Sequence, residues 1–200
     1  MIVWIDTETT GLDPHNGQLL EIAVLVTDDD YNELWSSQRL IQNPELDPTA
    51  WHEKVLAMHT KSGLLADLQA GREAGVLAWQ TPEAVEAHLI KILTGKFGAD
   101  ELRKAPLGGS SVQFDREWLK IHMPSLIALL HYRNADVSGV GEFLKRDNPK
   151  TEARRRVQNP SAVVAHRALD DIRYSVAQAR FYSREVFSPS LWTRLKRLFG

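Results

Sequence analysis

Apolar positions along the chain fall into runs of two different periods. Residues 2–5 form a short run rich in β-branched side chains that stops at Asp6, and residues 19–27 form a longer one interrupted by Glu21. Both predict strands. Asp28, Asp29 and Asp30 supply a turn, and residues 31–41 alternate loosely, so the three runs predict an antiparallel meander. Pro44 and Pro48 mark a loop, and beyond it the period lengthens. Short helices are expected over about residues 51–58 and from Leu64, with Gly71 and Gly75 weakening the stretch between them. Thr81-Pro82-Glu83 has the chemistry of a helix start, and Val85, Leu89, Ile92 and Leu93 mark one face of the helix it opens. Residues 106–109 are a short run leading into Ser110 and Ser111. Helices are expected over residues 114–122 and 126–130, and a short strand or turn over residues 136–138 opens another that reaches Arg146. Residues 147–160, with three successive arginines at 154–156, read as a solvated polar linker. A long helix comes after His166, with Leu169, Ile172, Val176 and Ala179 on its inner face. A meander succeeded by helices alternating with short strands predicts an α/β fold with a mixed sheet.

Composition narrows this only at a few points. The chain has 200 residues, long enough for one domain with a self-sufficient core. It contains no cysteine, which excludes disulfides, thiolate metal sites and a cysteine nucleophile. The opening MIVWIDTETTG lacks a basic segment leading into a long apolar run, so no secretory signal is expected, and no stretch is apolar enough to predict a membrane helix. The formal net charge is −2, but residues 1–60 carry 11 acidic and 2 basic groups against 15 acidic and 22 basic in residues 61–200. That asymmetry fits cation sites beside an anion-binding surface, and it equally fits chance clustering on a solvated surface. Near the C-terminus Trp192, Leu195, Leu198 and Phe199 alternate with Arg194, Lys196 and Arg197, an amphipathic pattern suited to packing, to a dimer contact or to nucleic acid.

Three local patterns carry possible chemistry. In Asp6-Thr7-Glu8 the strand period sends both carboxylates to one face, where a hard divalent cation would relieve their repulsion; the plainer reading is an exposed strand end. Asp115 comes after the small residues Gly108 to Ser111 and is either a site acid or an ordinary first-turn acid favoured by the helix dipole. His166 stands before the long helix, where its ring can reach a bound water. Asp170 and Asp171 lie about 100° apart around that helix, so one of them, Asp171 on the Ile172 side, faces the site.

Together these patterns resemble the DEDD exonucleases of the DEDDh subgroup, and within it the oligoribonucleases. The likeness is carried by IVWIDTETTGLD (2–13), LLEIAVLVTDDD (19–30), MHTKSGL (58–64), APLGGSSVQFDREWL (105–119), LLHYRNADVS (129–138) and HRALDDIRYSVAQARFY (166–182). It implies a ribonuclease H-like three-layer fold with a mixed five-stranded sheet flanked by helices. It also implies an exonuclease domain over residues 1–185 and a C-terminal amphipathic extension over 186–200. By the same resemblance Asp6, Glu8, Asp115 and Asp171 would bind two Mg²⁺ or Mn²⁺ ions and His166 would activate water. Leu12 would wedge between bases, and Ser111, Arg133 and Ser138 would grip the terminal phosphate of very short RNA. Tyr132 would reach the neighbouring site of a homodimer, in the cytoplasm. The sequence departs from the family's common pattern at Thr7, where many members carry a bulkier apolar residue. The threonine form also occurs in proofreading-type relatives, which makes a 3′–5′ exonuclease of single-stranded DNA or longer RNA the alternative. Lys54 stands where many members have a tryptophan, with Trp51 three residues earlier.

Overall fold

The computed structural model describes residues 1–43, 46–76, 80–158 and 166–187. The expected meander is present: β1 (Ile2–Thr9) pairs antiparallel with β2 (Leu19–Thr27), and β2 with β3 (Glu33–Leu40). Two further strands, β4 (Pro106–Gly109) and β5 (His131–Asp136), add parallel to β1, giving the mixed order β3-β2-β1-β4-β5. Gly108 permits the β1–β4 approach, since a Cβ there would stand 2.7 Å from the side chains of Ile2 and Trp4.

Period-two alternation sorts β1 and β2 between two layers. Val3, Ile5, Ile22 and Val24 pack into a core with Leu89 and Leu93 of α3 (Pro82–Phe97) and with Trp118 and Leu119 of α5 (Val112–His122). Trp4, Ala23 and Leu25 face the other way, against Ala168, Ile172 and Val176 of α9 (Ala168–Tyr182) and Leu144 of α7 (Val137–Asp147). Helix–sheet–helix layering in this order is the ribonuclease H-like architecture. Two helices, α1 (Glu53–Lys61) and α2 (Leu64–Glu73), flank the outer strands, with α2 running through Gly71 and ending at Ala74 before Gly75 turns with a left-handed backbone. The short α4 (Ala99–Leu102) and α6 (Pro124–Ala128) complete the connections.

Two expectations needed correction. Residues 149–158 are not a linker but α8 (Pro149–Gln158). Proline starts it, the Asn148 side chain caps it by accepting from Thr151 N at 3.2 Å, and Glu152 pairs with Arg155 and Arg156 one turn on. Arg155 is therefore buried rather than solvated, its guanidinium also donating to the Tyr174 hydroxyl at 2.9 Å. The short strand or turn expected over residues 136–138 lies earlier: the polar run 131–136, of which only the last residue was expected in an element, is the sheet-edge strand β5, and α7 already begins at Val137. The amphipathic segment 191–199 and most of the expected extension lie outside the described residues. Among the described residues no helix is long and apolar enough to cross a membrane.

Candidate active site

Alternation that sends Val3 and Ile5 to the α5 layer sends Asp6 and Glu8 toward α9. There Asp171, in the first turn of α9, meets them: one carboxylate oxygen each from Asp6, Glu8 and Asp171 lie within 4.8 Å of one another. Asp170, one position earlier, is exposed. The odd-numbered neighbour Thr7 faces α5 instead and holds Asp115, whose Oδ1 accepts from the Thr7 backbone N–H at 2.9 Å and from Thr7 Oγ1 at 2.8 Å. One strand thus presents Asp6 and Glu8 toward α9 and, through Thr7, anchors Asp115 close enough for its charge to act on Asp6.

Among the described residues no hydrogen bond reaches the carboxylates of Asp6, Glu8 or Asp171, and burial leaves this cluster short of positive charge. Desolvation, and then the charges of Asp115, Glu8 and Asp171, push the Asp6 carboxyl well above the ordinary range. Burial, then Asp171 and Glu21, raise Glu8 to about 8. Asp115 is raised by burial to about 7 even though the Thr7 bonds pull the other way. Burial raises Asp171 to about 6, with His166 opposing it. Repulsion among buried carboxylates is what a divalent cation removes, and an all-oxygen donor set suits a hard ion. The residues present fit such an ion.

His166 precedes α9 with a left-handed backbone (φ 43°), uncommon for a residue with a side chain. It is half-buried beside Asp171. Leu12, 85% exposed on the β1–β2 connection, projects into a cleft of about 340 Å³ that it shares with Trp51 and His52. The structure therefore brings Trp51 to the same cleft as Leu12, a placement the sequence left open. Beneath them the fully buried His59 donates from Nε2 to the Thr9 carbonyl (2.9 Å), and its Nδ1 lies 3.9 Å from a Glu8 carboxylate oxygen without a hydrogen-bond partner.

A second group forms where β5 meets α7. Asp136 caps two helices at once: its carboxylate accepts from Ser138 N (2.9 Å), Ser138 Oγ (2.6 Å) and Gly139 N (3.3 Å), and from Ser111 N and Val112 N (3.2 Å each). Burial opposes its charge, but these donors hold the carboxyl below its usual range. Ser111 and Ser138 are thereby adjacent, with Ser111 N donating to Ser138 Oγ at 3.0 Å. Tyr132 and Arg133 stand on the exposed sheet edge, Tyr132 72% exposed and the guanidinium 5.4 Å from its ring centre. The structure draws the acids into one cluster and the two serines into another, and leaves Tyr132 and Arg133 at the surface.

Sequence reasoning passed over Glu21. Its signal was visible, since it is the one charge inside the otherwise apolar run of β2, and all nine residues of that strand are buried. The carboxylate is fully buried and both its oxygens are occupied: Arg167 Nη2 and Gln38 Nε2 donate to Oε1 at 2.9 and 2.7 Å, and Ala168 N donates to Oε2 at 3.0 Å.

Comparison with known proteins agrees with this geometry. The RNase T exonuclease family matches residues 3–63 and 80–179. An oligoribonuclease of Streptomyces coelicolor is 40% identical over 194 residues, covering 94% of this chain and 88% of the relative. An oligoribonuclease of Vibrio cholerae is 35% identical over 187 residues, covering 93% and 95%. Among solved structures, an E. coli exonuclease I complex with single-stranded DNA, in a zinc-bound form, superposes with a TM-score of 0.67 at 15% identity. That match covers 92% of this chain but 41% of the exonuclease I chain, and it speaks for the fold alone.

Proposed function

This chain belongs to the oligoribonuclease family of exonucleases, and we infer that it is a 3′–5′ exoribonuclease that degrades very short RNA to nucleoside 5′-monophosphates. The observation that carries the reading is the convergence of Asp6, Glu8 and Asp171 within 4.8 Å, with Asp115 and His166 beside them. Two divalent ions, Mg²⁺ or Mn²⁺, would supply the Lewis acidity that polarises the scissile phosphate and makes water a nucleophile at neutral pH. Asp6, Glu8 and Asp171 would hold one ion, and Asp6 with Asp115 would hold the other.

His166 accepts the proton of the attacking water; an imidazole has the right basicity for that task near neutrality. Leu12 and Trp51 enclose the terminal bases, a contact indifferent to base identity because every base offers an apolar face. Ser111 and Ser138 line the phosphate subsite at the other end of the substrate, where the Ser111 hydroxyl donates while the Ser138 hydroxyl stays on Asp136, and the Arg133 fork adds charge. A preference for very short RNA would follow if this phosphate subsite closed the far end of the substrate path. Tyr132, exposed beside Arg133, serves the neighbouring site of a homodimer, and a chain without cysteine suits a reducing compartment, the cytoplasm.

Thr7 favours a second reading, an exonuclease of single-stranded DNA or longer RNA. Product analysis on end-labelled dinucleotides, pentanucleotides and long single strands, as RNA and DNA and with or without Mg²⁺ or Mn²⁺, separates the two. Metal-dependent release of mononucleotides fastest from the diribonucleotide is expected. Preference for the long strands would assign the enzyme to the second class.

A further inference from the structure

We propose that Glu21 is a positioning residue for His166: from the rigid centre of the sheet it fixes the two residues next after the histidine and so sets where the imidazole stands. The proposal rests on the reading of His166 as the general base. Its starting point is a deficiency in α9. The helix begins after Arg167, and no side chain of its own N-terminal segment caps it, although the first N–H groups of a helix need acceptors. Glu21 supplies one from another strand, 147 residues away, by accepting from Ala168 N. It also takes the Arg167 guanidinium through Nε (3.3 and 3.4 Å) and Nη2 (2.9 Å). Both residues immediately after His166 are thus tied to one buried carboxylate.

The tie matters because His166 is held in the left-handed region, a conformation that persists only where its surroundings enforce it. Glu21 is suited to enforce it. In the β1–β2 register it stands directly across from Glu8. Gln38 of β3 braces it from the far side. The strand pair that carries Glu8 therefore also carries the anchor of the base, and the two halves of the site share one rigid reference. Glu21 is not a further metal ligand, since both oxygens already accept from protein donors. Arg167 alone does not suffice either: its other contact, to Asp67 at 2.7 Å, is with a half-exposed side chain on α2.

The test is a double-mutant cycle on the full chain, monitoring diribonucleotide cleavage at saturating Mg²⁺. Glu21→Gln keeps the shape but turns an amide toward the Arg167 fork. It should lower kcat by a factor on the order of 10–100, the usual effect of losing a partner that orients an active group, and change KM for the dinucleotide by less than about threefold, since the bases and terminal phosphate bind elsewhere. In a His166→Ala background the same change should cost nothing more, because a residue acting through the imidazole has nothing left to orient. A purely structural role predicts the opposite: losses that multiply in the double variant, or a normal kcat with a lower melting temperature. Either result overturns the proposal. Where Glu21→Gln does not fold, Arg167→Lys keeps the charge and loses the fork; a reduced kcat that vanishes as an effect in the His166→Ala background supports the proposal, and an unchanged kcat overturns it. A fully active His166→Ala enzyme would instead remove the base assignment and this inference together, whereas a crippled His166→Ala beside a normal Glu21→Gln removes only the inference.

Discussion

Glu8 and Glu152 are both buried glutamates in the α9 half of the molecule, and they have opposite chemistry. Burial opposes the charge of each. Around Glu152, Arg155 forms a two-pronged pair (2.9 and 2.8 Å), Arg156 adds a third donor at 3.3 Å and the Tyr182 hydroxyl a fourth at 3.2 Å, so the carboxyl is held below its usual range. Around Glu8, among the described residues, no hydrogen-bond donor arrives, and burial with the charges of Asp171 and Glu21 outweighs the Arg167 cation, so it rises to about 8. The difference shows how a fold distinguishes a structural acid from a working one. Glu152 is complete within the protein. Among the described residues Glu8, Asp6 and Asp171 lack such partners, and on the proposed reading a divalent ion completes them.

Removing a carboxylate should therefore act in opposite directions on the two sides. Asp6→Ala or Asp171→Ala is expected to abolish dinucleotide cleavage, while the melting temperature without metal holds or rises because a buried repulsion has gone. Glu152→Ala, by contrast, strands the buried Arg155 charge. It should destabilise the fold by about 3–5 kcal/mol without changing the affinity for Mn²⁺. Thermal melts, calorimetric Mn²⁺ titration and cleavage rates on all three variants check this. A metal-free Asp171→Ala protein that melts far below the parent would show that the acids support the fold after all.

The same contrast has a pH signature. Glu8, Asp115 and Asp171 are raised to about 8, 7 and 6, above the carboxylate range near 4 of an unfolded chain. The folded, metal-free protein therefore binds more protons than the unfolded one. The contribution of these groups to stability is fully present below the unfolded values and is lost as pH rises through about 6 to 8. A divalent ion competes with those protons, so the rise in melting temperature on adding Mg²⁺ or Mn²⁺ should grow between pH 6 and 8. At a hundredfold excess over Kd the stabilisation should reach about 2.7 kcal/mol. Glu152 and Asp136 are lowered instead, so their contribution is lost only in acid, with or without metal. A metal-induced stabilisation that stays flat with pH would contradict the carboxylate assignment.

Local patterns explain why some of this was legible in the chain and some was not. The strand period places Asp6 and Glu8 together, and the helical period separates Asp171 from Asp170; both statements need only neighbours in sequence. Glu21 was visible as a charge inside a buried strand, but its meaning depends on Arg167, 146 positions later. Residues 149–158 imitate a linker through their high polarity. The sign that mattered was the spacing of Glu152 to Arg155 and Arg156, which one helical turn brings into contact. The edge strand β5 offers little apolar alternation because its central residues face solvent. Trp51 could not be assigned from its offset in sequence, and became interpretable only once the cleft with Leu12 was formed.

The smallest effects sharpen the comparison furthest, because a single hydroxyl serves each acid cluster. Tyr182→Phe removes one donor from Glu152, which keeps Arg155 and Arg156, so it should cost about 1 kcal/mol and leave turnover alone. Thr7→Val removes Thr7 Oγ1 from Asp115, which keeps the Thr7 backbone N–H. Its stability change should be of the same size, about 1 kcal/mol, but its functional consequence should differ. Asp115 is the acid assigned to the second ion, and with one of two anchors gone it holds its place less tightly. Turnover should fall severalfold and need more Mg²⁺ to saturate, and Thr7→Ser, which restores the hydroxyl, should recover most of the loss. Melting curves and rate measurements across Mg²⁺ concentrations decide the point. Equal kinetics for Thr7→Val and the parent would mean that Asp115 is held by its helix alone, and that the threonine between the two acids has no part in the reaction.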